Sequence, residues 1–169
     1  MAKYLHGNTK RRKYKIGSGS DFAIGDHVFS DKDNGFIVKP AADFTWTSTL
    51  ATTQTNFRLR YAGVVMATYT GSTFTGDGPN EYGLQSGYVM VYEDGVFEDT
   101  CASASFKAGT LVGIAKASGN ALESQKVVQV STEATSIGRV YEDASSSTTV
   151  KFTIHPELAD ITGTADSGS

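Results

Sequence analysis

Apolar and polar residues alternate along this chain in short runs broken by turn residues, the pattern of strands rather than helices. Residues 22–40 read "FAIGDHVFSDKDNGFIVKP": an aromatic, Gly25, Val28, a polar Asn-Gly tip and a Val-bearing return. Residues 106–130, "FKAGTLVGIAKASGNALESQKVVQV", repeat that outline with Phe106, Gly109 and Val112. Each copy is followed by a Gly-x-Val segment, "YAGVVMA" at 61–67 and "SIGRVYE" at 136–142. The first copy is longer by a Thr-rich connection, 41–56, that holds the only Trp, Trp46. The doubling predicts one closed barrel of two similar halves, with Gly25, Gly63, Gly109 and Gly138 where strands bend or bulge. Closure removes the unpaired edges that make sheets sticky.

The remaining segments fit the same class. "YVMVYEDGVFEDT" at 88–100 has apolar runs on both sides of Asp94-Gly95 and predicts a hairpin with its tip there. "RLRYAGVVMATY" at 58–69 reads as a half-buried strand, 70–87 as a long Gly-rich loop, 145–149 as a Ser/Thr turn and "VKFTI" at 150–154 as a last strand. No window carries the period of a capped surface helix, although "NFRLRYAG" and "HPELAD" could each give a turn or two. The fold class is all-β, a compact β-barrel or β-sandwich of short strands with an internal pseudo-repeat. Residues 1–20 read as a basic extended arm, 21–154 as the folded domain and 155–169 as a polar tail.

Composition agrees. Among 169 residues only 39% are hydrophobic, with 18 Gly against 3 Pro, as suits many short strands and turns. The formal charge of −3 hides an asymmetry. Lys3, Lys10, Arg11, Arg12, Lys13 and Lys15 all precede the first acid, which leaves 9 of the 15 cations to face the 18 acids of the body. A cationic arm on an acidic body can reach for an acidic surface, including another copy of itself. There is no signal-like apolar segment and no membrane-length run, so synthesis in a cytoplasm is expected.

The chemistry-bearing residues do not assemble into a known catalytic pattern. Asp31, Asp33, Asn34 and Gly35 fall one residue short of a calcium loop and suit a hairpin turn instead. His6, His27 and His155 lack metal-ligand spacing, and adjacent Asp26 and His27 point to opposite faces of a strand. Glu93, Asp94, Glu98 and Asp99 read as a solvated rim of the 88–100 hairpin rather than an acid pair. Cys101, the only Cys, reads as a buried hydrophobe. "GSGS" at 17–20 is a linker. No cofactor, metal or catalytic residue is expected. The sharp signal is "KRRKYK" at 10–15: Lys10, Arg11, Arg12, Lys13 and Lys15 can grip acidic groups, with Tyr14 free to stack. The acidic body would repel a duplex, which favours a protein partner over nucleic acid.

The "DGVFE" hairpin, the "F-x-x-G-x-x-V-G" strand, the "ASGNAL" tip and the "IGRV…T-x-V-x-F-x-I" ending together resemble small β-rich decoration, or cement, proteins of tailed-phage capsids, encoded near the major capsid gene. The resemblance covers about residues 21–154; the basic arm and the loop at 71–87 lie outside it. It implies a non-enzymatic virion protein on the outer surface of the head that stabilises contacts between capsomers. Its partners would be the major capsid protein and further copies of itself, as a homotrimer. Phe36, Ile37, Phe74, Tyr82, Tyr88 and Tyr92 are the apolar candidates for subunit contacts. The rival reading is a carbohydrate- or receptor-binding β-sandwich module of a head fibre or tail. It needs Trp46 exposed on a flat face near Tyr82 or Tyr88.

Overall fold

The computed structural model describes residues 1–7, 10–17, 19–31, 37–70 and 87–155, with 73–74 as a backbone strand alone. Strands make up 55% of the described residues and helix 11%, as the all-β reading requires. The architecture is two barrels in tandem rather than one barrel of two halves.

The chain opens with β1 (Lys3–His6). The first ring follows: β2 (Arg11–Lys15), β3 (His27–Asp31), β4 (Ile37–Pro40), β5 (Tyr61–Val65) and, after the small hairpin of β6 (Tyr69–Thr70) and β7 (Thr73–Phe74), β8 (Tyr88–Tyr92). These pair in the order β2-β8-β5-β3-β4. A parallel bridge between Ile16 and Val38 brings β4 back to β2 and closes the circuit. The second ring is β9 (Val96–Phe106), β10 (Leu111–Lys116), β11 (Leu122–Val130), β12 (Gly138–Val140) and β13 (Ala144–Ile154). Its order is β9-β11-β10-β12-β13, closed by β13 on β9, with β11 parallel to β9. Counted by appearance, both rings run first-third-second-fourth-fifth, and in both the one parallel contact joins first and third strands.

The correspondence extends to register. Val28 pairs with Gly63 as Val112 pairs with Gly138, and Ser30 with Val38 as Ile114 with Val127. Gly25 N–H donates to Val65 O at 2.6 Å, and Gly109 N–H to Val140 O at 2.8 Å. A Cβ at Gly63 would strike the carbonyl of Tyr92 in the fifth strand of its ring, and one at Gly138 the carbonyl of Thr153 in the fifth strand of the other. Only glycine permits that approach.

Each ring has a core. Tyr14, Ile16, Phe22, Val28, Val38, Val65, Val89 and Val91 fill the first. The second core, with Phe97, Phe106, Val112, Ile114, Leu122 and Phe152, runs on into the space between the rings, where it takes up Phe29, Phe57, Tyr61, Val64 and Tyr92. Strands β3 and β5 are therefore buried on both faces. Polar contacts also cross between the rings: Gln125 Nε2 donates to Asp26 Oδ1 at 2.8 Å, Ala42 N–H to Ser124 Oγ at 3.0 Å and Gln54 Nε2 to Ile114 O at 2.7 Å.

Four expectations need correction. Asp94-Gly95 is not a hairpin tip, because β8 and β9 lie in different sheets and the turn passes the chain from one ring to the other. The Ser/Thr stretch at 145–149 is strand, with Ser146 at φ 48 and register shifts in its pairing to β9. The Thr-rich connection holds a helix, α1 (Leu50–Arg58), capped by Thr49, whose side chain accepts from Thr52 N–H. Finally, residues 1–16 are not a separate arm: β1 pairs with β9, β2 pairs with β8 along its length, and Ala2 is fully buried. Tyr4, Tyr14 and Ile16 secure this segment by packing on or within the cores. Residues 156–169 of the tail lie outside the described residues.

Candidate functional site

Two sets of residues that are far apart in the sequence meet on one surface. Strand alternation turns Tyr14 and Ile16 into the first ring and leaves Arg11, Lys13 and Lys15 on its outer face. The register sets Arg11 opposite Tyr92, Lys13 opposite Met90 and Lys15 opposite Tyr88. Arg11 Cζ lies 5.5 Å from the Tyr92 ring centre and Lys13 Nζ 4.5 Å from that of Tyr88, both in cation–π range. The outcome is a cationic strip, repeating every second residue at roughly 6.8 Å, on a bed of Tyr and Met side chains. Tyr88 and Met90 are half-buried and Tyr92 is largely covered.

The second ring serves as an internal control. By register, Val96 and Thr153 stand where Arg11 and Tyr92 do, Glu98 and Lys151 where Lys13 and Met90 do, and Thr100 and Thr149 where Lys15 and Tyr88 do. The ring folds with small or mixed-sign residues at these positions. The basic residues of the first ring are therefore an addition that the architecture does not require, whereas Tyr92 also packs in the core between the rings.

Beneath the strip, Tyr14 and Arg12 close the end of the first ring over Glu93. Tyr14 OH donates to Glu93 Oε1 at 2.7 Å, and Arg12 Nε lies 3.2 Å from the same oxygen. Burial, then the Glu93 hydrogen bond and charge, push the Tyr14 phenol far above its ordinary range, so it stays a donor. Two expectations fall here: Tyr14 is not free to stack, and Glu93 is a buried anchor rather than part of a solvated rim. Its side chain has no exposure, and its N–H donates to Lys10 O at 2.7 Å.

Asp99, also placed on that rim by its sequence context, is buried between the rings. His27 Nε2 lies 2.9 Å from Asp99 Oδ2, and His27 Nδ1 lies 2.9 Å from Tyr61 OH. Thr100 N–H and the ammonium of residue 1 hold the other Asp99 oxygen. Burial alone raises the Asp99 carboxyl, but the His27 hydrogen bond and charge, with the ammonium, outweigh it and leave it below the usual range. Asp26 is the reverse: burial raises it above the usual range despite hydrogen bonds from Ala23 N–H and Gln125. The His27–Asp99–Tyr61 chain has the form of a base with its orienter, but His27 and Asp99 have no solvent-exposed side-chain surface and Tyr61 is fully buried. It joins the two rings. Sequence spacing gave no sign of it, since His27 and Asp99 come from different repeats.

Of the remaining candidates, Ile37 is half-buried beside Gly17. Phe74 lies in β7, and Phe36 and Tyr82 fall outside the described residues. Trp46 is half-buried against the core between the rings, with Lys116 Nζ 4.9 Å above its ring. Cys101 is buried, as expected. Among the described residues, no group of three or more His, Cys, Asp or Glu side chains is placed to hold a metal ion, and no helix is long and apolar enough to cross a membrane. No family model matches the chain, and no curated protein matches it.

Proposed function

We propose that this protein is a structural virion component, a capsid decoration protein that docks on the outer surface of an assembled phage head and stabilises contacts between capsomers. The observation that carries the reading is the cationic face of β2 and β8, set against the neutral or mixed positions that match it in the second ring. Arg11, Lys13 and Lys15 stand on a paired strand, so docking orders only their side chains, and less free energy is lost than with a floppy arm. Its partner is an acidic surface of the major capsid protein. Exposed ion pairs contribute only about 0–1 kcal/mol each, so tight decoration comes from several contacts per copy and several copies per assembly. A homotrimer, the state implied by the resemblance, supplies that multiplicity. The protein has no catalytic role in this account: Glu93, Asp99 and His27 are tied into internal contacts.

The carbohydrate-module reading, in the form that relies on Trp46, loses its support because that ring packs on the core and lies under Lys116. Antibody labelling of intact phage particles, imaged in negative stain, tests the location. Label spread over the head supports decoration. Label confined to the tail, or absent from particles, contradicts it.

A further inference from the structure

Strand β1 belongs to neither ring's circuit. It adds to the edge of β9, antiparallel, with Lys3 opposite Glu98, Tyr4 opposite Phe97 and His6 opposite Val96. That edge of β9 is therefore covered in two pieces, by β1 up to Glu98 and by β11 at Thr100 and Cys101. The first ring has the second piece without the first. Its matching strand is β2, and the bridge from Ile16 to Val38 stands where Cys101 meets Val127. Among the described residues, no strand adds to β2 ahead of that bridge, where Arg12 and Lys13 match Phe97 and Glu98.

The backbone directions define this open edge. Glu93 N–H donates to Lys10 O at 2.7 Å and Ile16 N–H to Gly87 O at 2.8 Å, so the even-numbered residues of β2 turn their peptide groups toward β8. Gly17 N–H donates to Val38 O at 3.1 Å, on the opposite side. Lys13 shares the direction of Gly17. Its N–H and C=O point away from β8, and no described residue bonds them. Lys13 is exposed, and its ammonium, over the Tyr88 ring, pairs with no carboxylate among the described residues.

Charge selects what fits there. In the second ring Lys3 of the added strand stands opposite Glu98. Lys13 takes the place of Glu98 in the first ring, so a strand added there suits an acid where β1 has Lys3. A second copy's β1 would set Lys3 against Lys13, and like charges directly opposite are unfavourable. Lysines on an edge keep out strands of their own sign but not an acidic one. We propose that the edge of β2 at Lys13 receives an extended acidic segment of the partner as an added antiparallel strand, the counterpart of β1 on β9. The proposal rests on the docking reading of this face and gives its mode: main-chain hydrogen bonds hold the segment, and its acids meet Lys13 and Lys15.

The test is amide NMR of the intact protein, titrated with a capped peptide that alternates Glu with Val and Thr. Saturable shifts centred on the Lys13 amide are expected, with slower exchange of that amide with solvent. A fully N-methylated form of the peptide keeps the charge and loses the donors, and should bind about tenfold more weakly or worse. Lys13→Ser keeps the edge N–H and loses the charge, and should weaken binding about threefold. Lys13→Pro also removes the N–H without breaking a bond to β8, and should weaken it about tenfold. Thermal unfolding checks that both variants fold; if Lys13→Pro does not, the N-methylated peptide decides. The proposal is overturned if the Glu peptide leaves the Lys13 amide unmoved or if the N-methylated form binds equally well. It is also overturned if that amide shifts with protein concentration alone, the mark of a second copy on this edge. Salt-dependent binding to heads alongside any of these results would remove strand addition and leave the docking reading standing.

Discussion

His27 Nε2 and Asp99 Oδ2 are 2.9 Å apart, neither side chain has any solvent exposure, and the two residues belong to different rings. A buried pair of this kind adds little compared with a well-packed apolar replacement, but removing His27 strips the group that holds Oδ2 of the buried Asp99 carboxylate and leaves only Thr100 N–H and the ammonium of residue 1 on its other oxygen. His27→Leu should therefore destabilise the protein by about 3–5 kcal/mol. Tyr61 OH would lose its 2.9 Å contact to the ring as well. Denaturant unfolding of His27→Leu, Asp99→Leu and the double variant checks this. The double variant should be less damaged than the sum of the two singles.

Acid should act on the two buried aspartates with opposite signs. Asp99 is held below the usual carboxylate range. Its contribution is fully present above the ordinary Asp value, near 3.9, and is lost as pH falls through its lower folded value. Asp26 is raised above that range, so the folded state takes up its proton first, and stability is gained there as pH falls toward the ordinary value. Unfolding free energies measured between about pH 6 and pH 2 should show a smaller gain on initial acidification in Asp26→Asn. Asp99→Asn should show a smaller loss at the acid end. Identical pH profiles for the two variants would sink this assignment.

Glycine substitutions test the duplication. Gly63→Ala and Gly138→Ala each drive a methyl group into the carbonyl of the fifth strand of their ring, Tyr92 or Thr153. Both should cost at least about 2–3 kcal/mol, as overpacking does. Gly63→Ala should cost more, since Gly63 also sits at φ 134. Gly119→Ala, at φ 76 with nothing within 4 Å of the new Cβ, is the control and should cost only about 1 kcal/mol. Thermal unfolding ranks the three.

The repeat was legible because Gly25, Gly63 and Gly138 are required by close backbone approach and Gly109 by its φ of 86, and such positions leave a mark in any sequence. That each copy closes its own ring was not, since closure of the first depends on the single bridge from Ile16 to Val38. The helix α1 was hidden by its composition, "LATTQTNFR", with buried Thr53 and Gln54 in place of an apolar stripe. Residues 10–15 stood out by charge, but charge alone cannot tell a loose arm from a strand. Tyr14 and Ile16, alternating with lysines, were the clue that the segment is anchored. Glu93 and Asp99 look like surface acids in any local window, and only partners 79 and 72 residues away make them internal.

The central claim is that the β2–β8 face docks the protein on a shell. Changing Arg11, Lys13 and Lys15 together to Ser leaves Tyr14 and Ile16 in the core, so the variant should unfold within about 1–2 kcal/mol of the parent, the loss of surface and cation–π contacts. The direct measurement is co-sedimentation of parent and triple variant with empty heads of the proposed source phage, across a salt titration. The account predicts that the parent binds tightly at low salt and weakens steadily as salt rises. The variant should bind more weakly, with a shallower salt dependence. Equal binding of the two proteins at every salt concentration would contradict it, as would a parent that ignores shells and binds single-stranded nucleic acid instead.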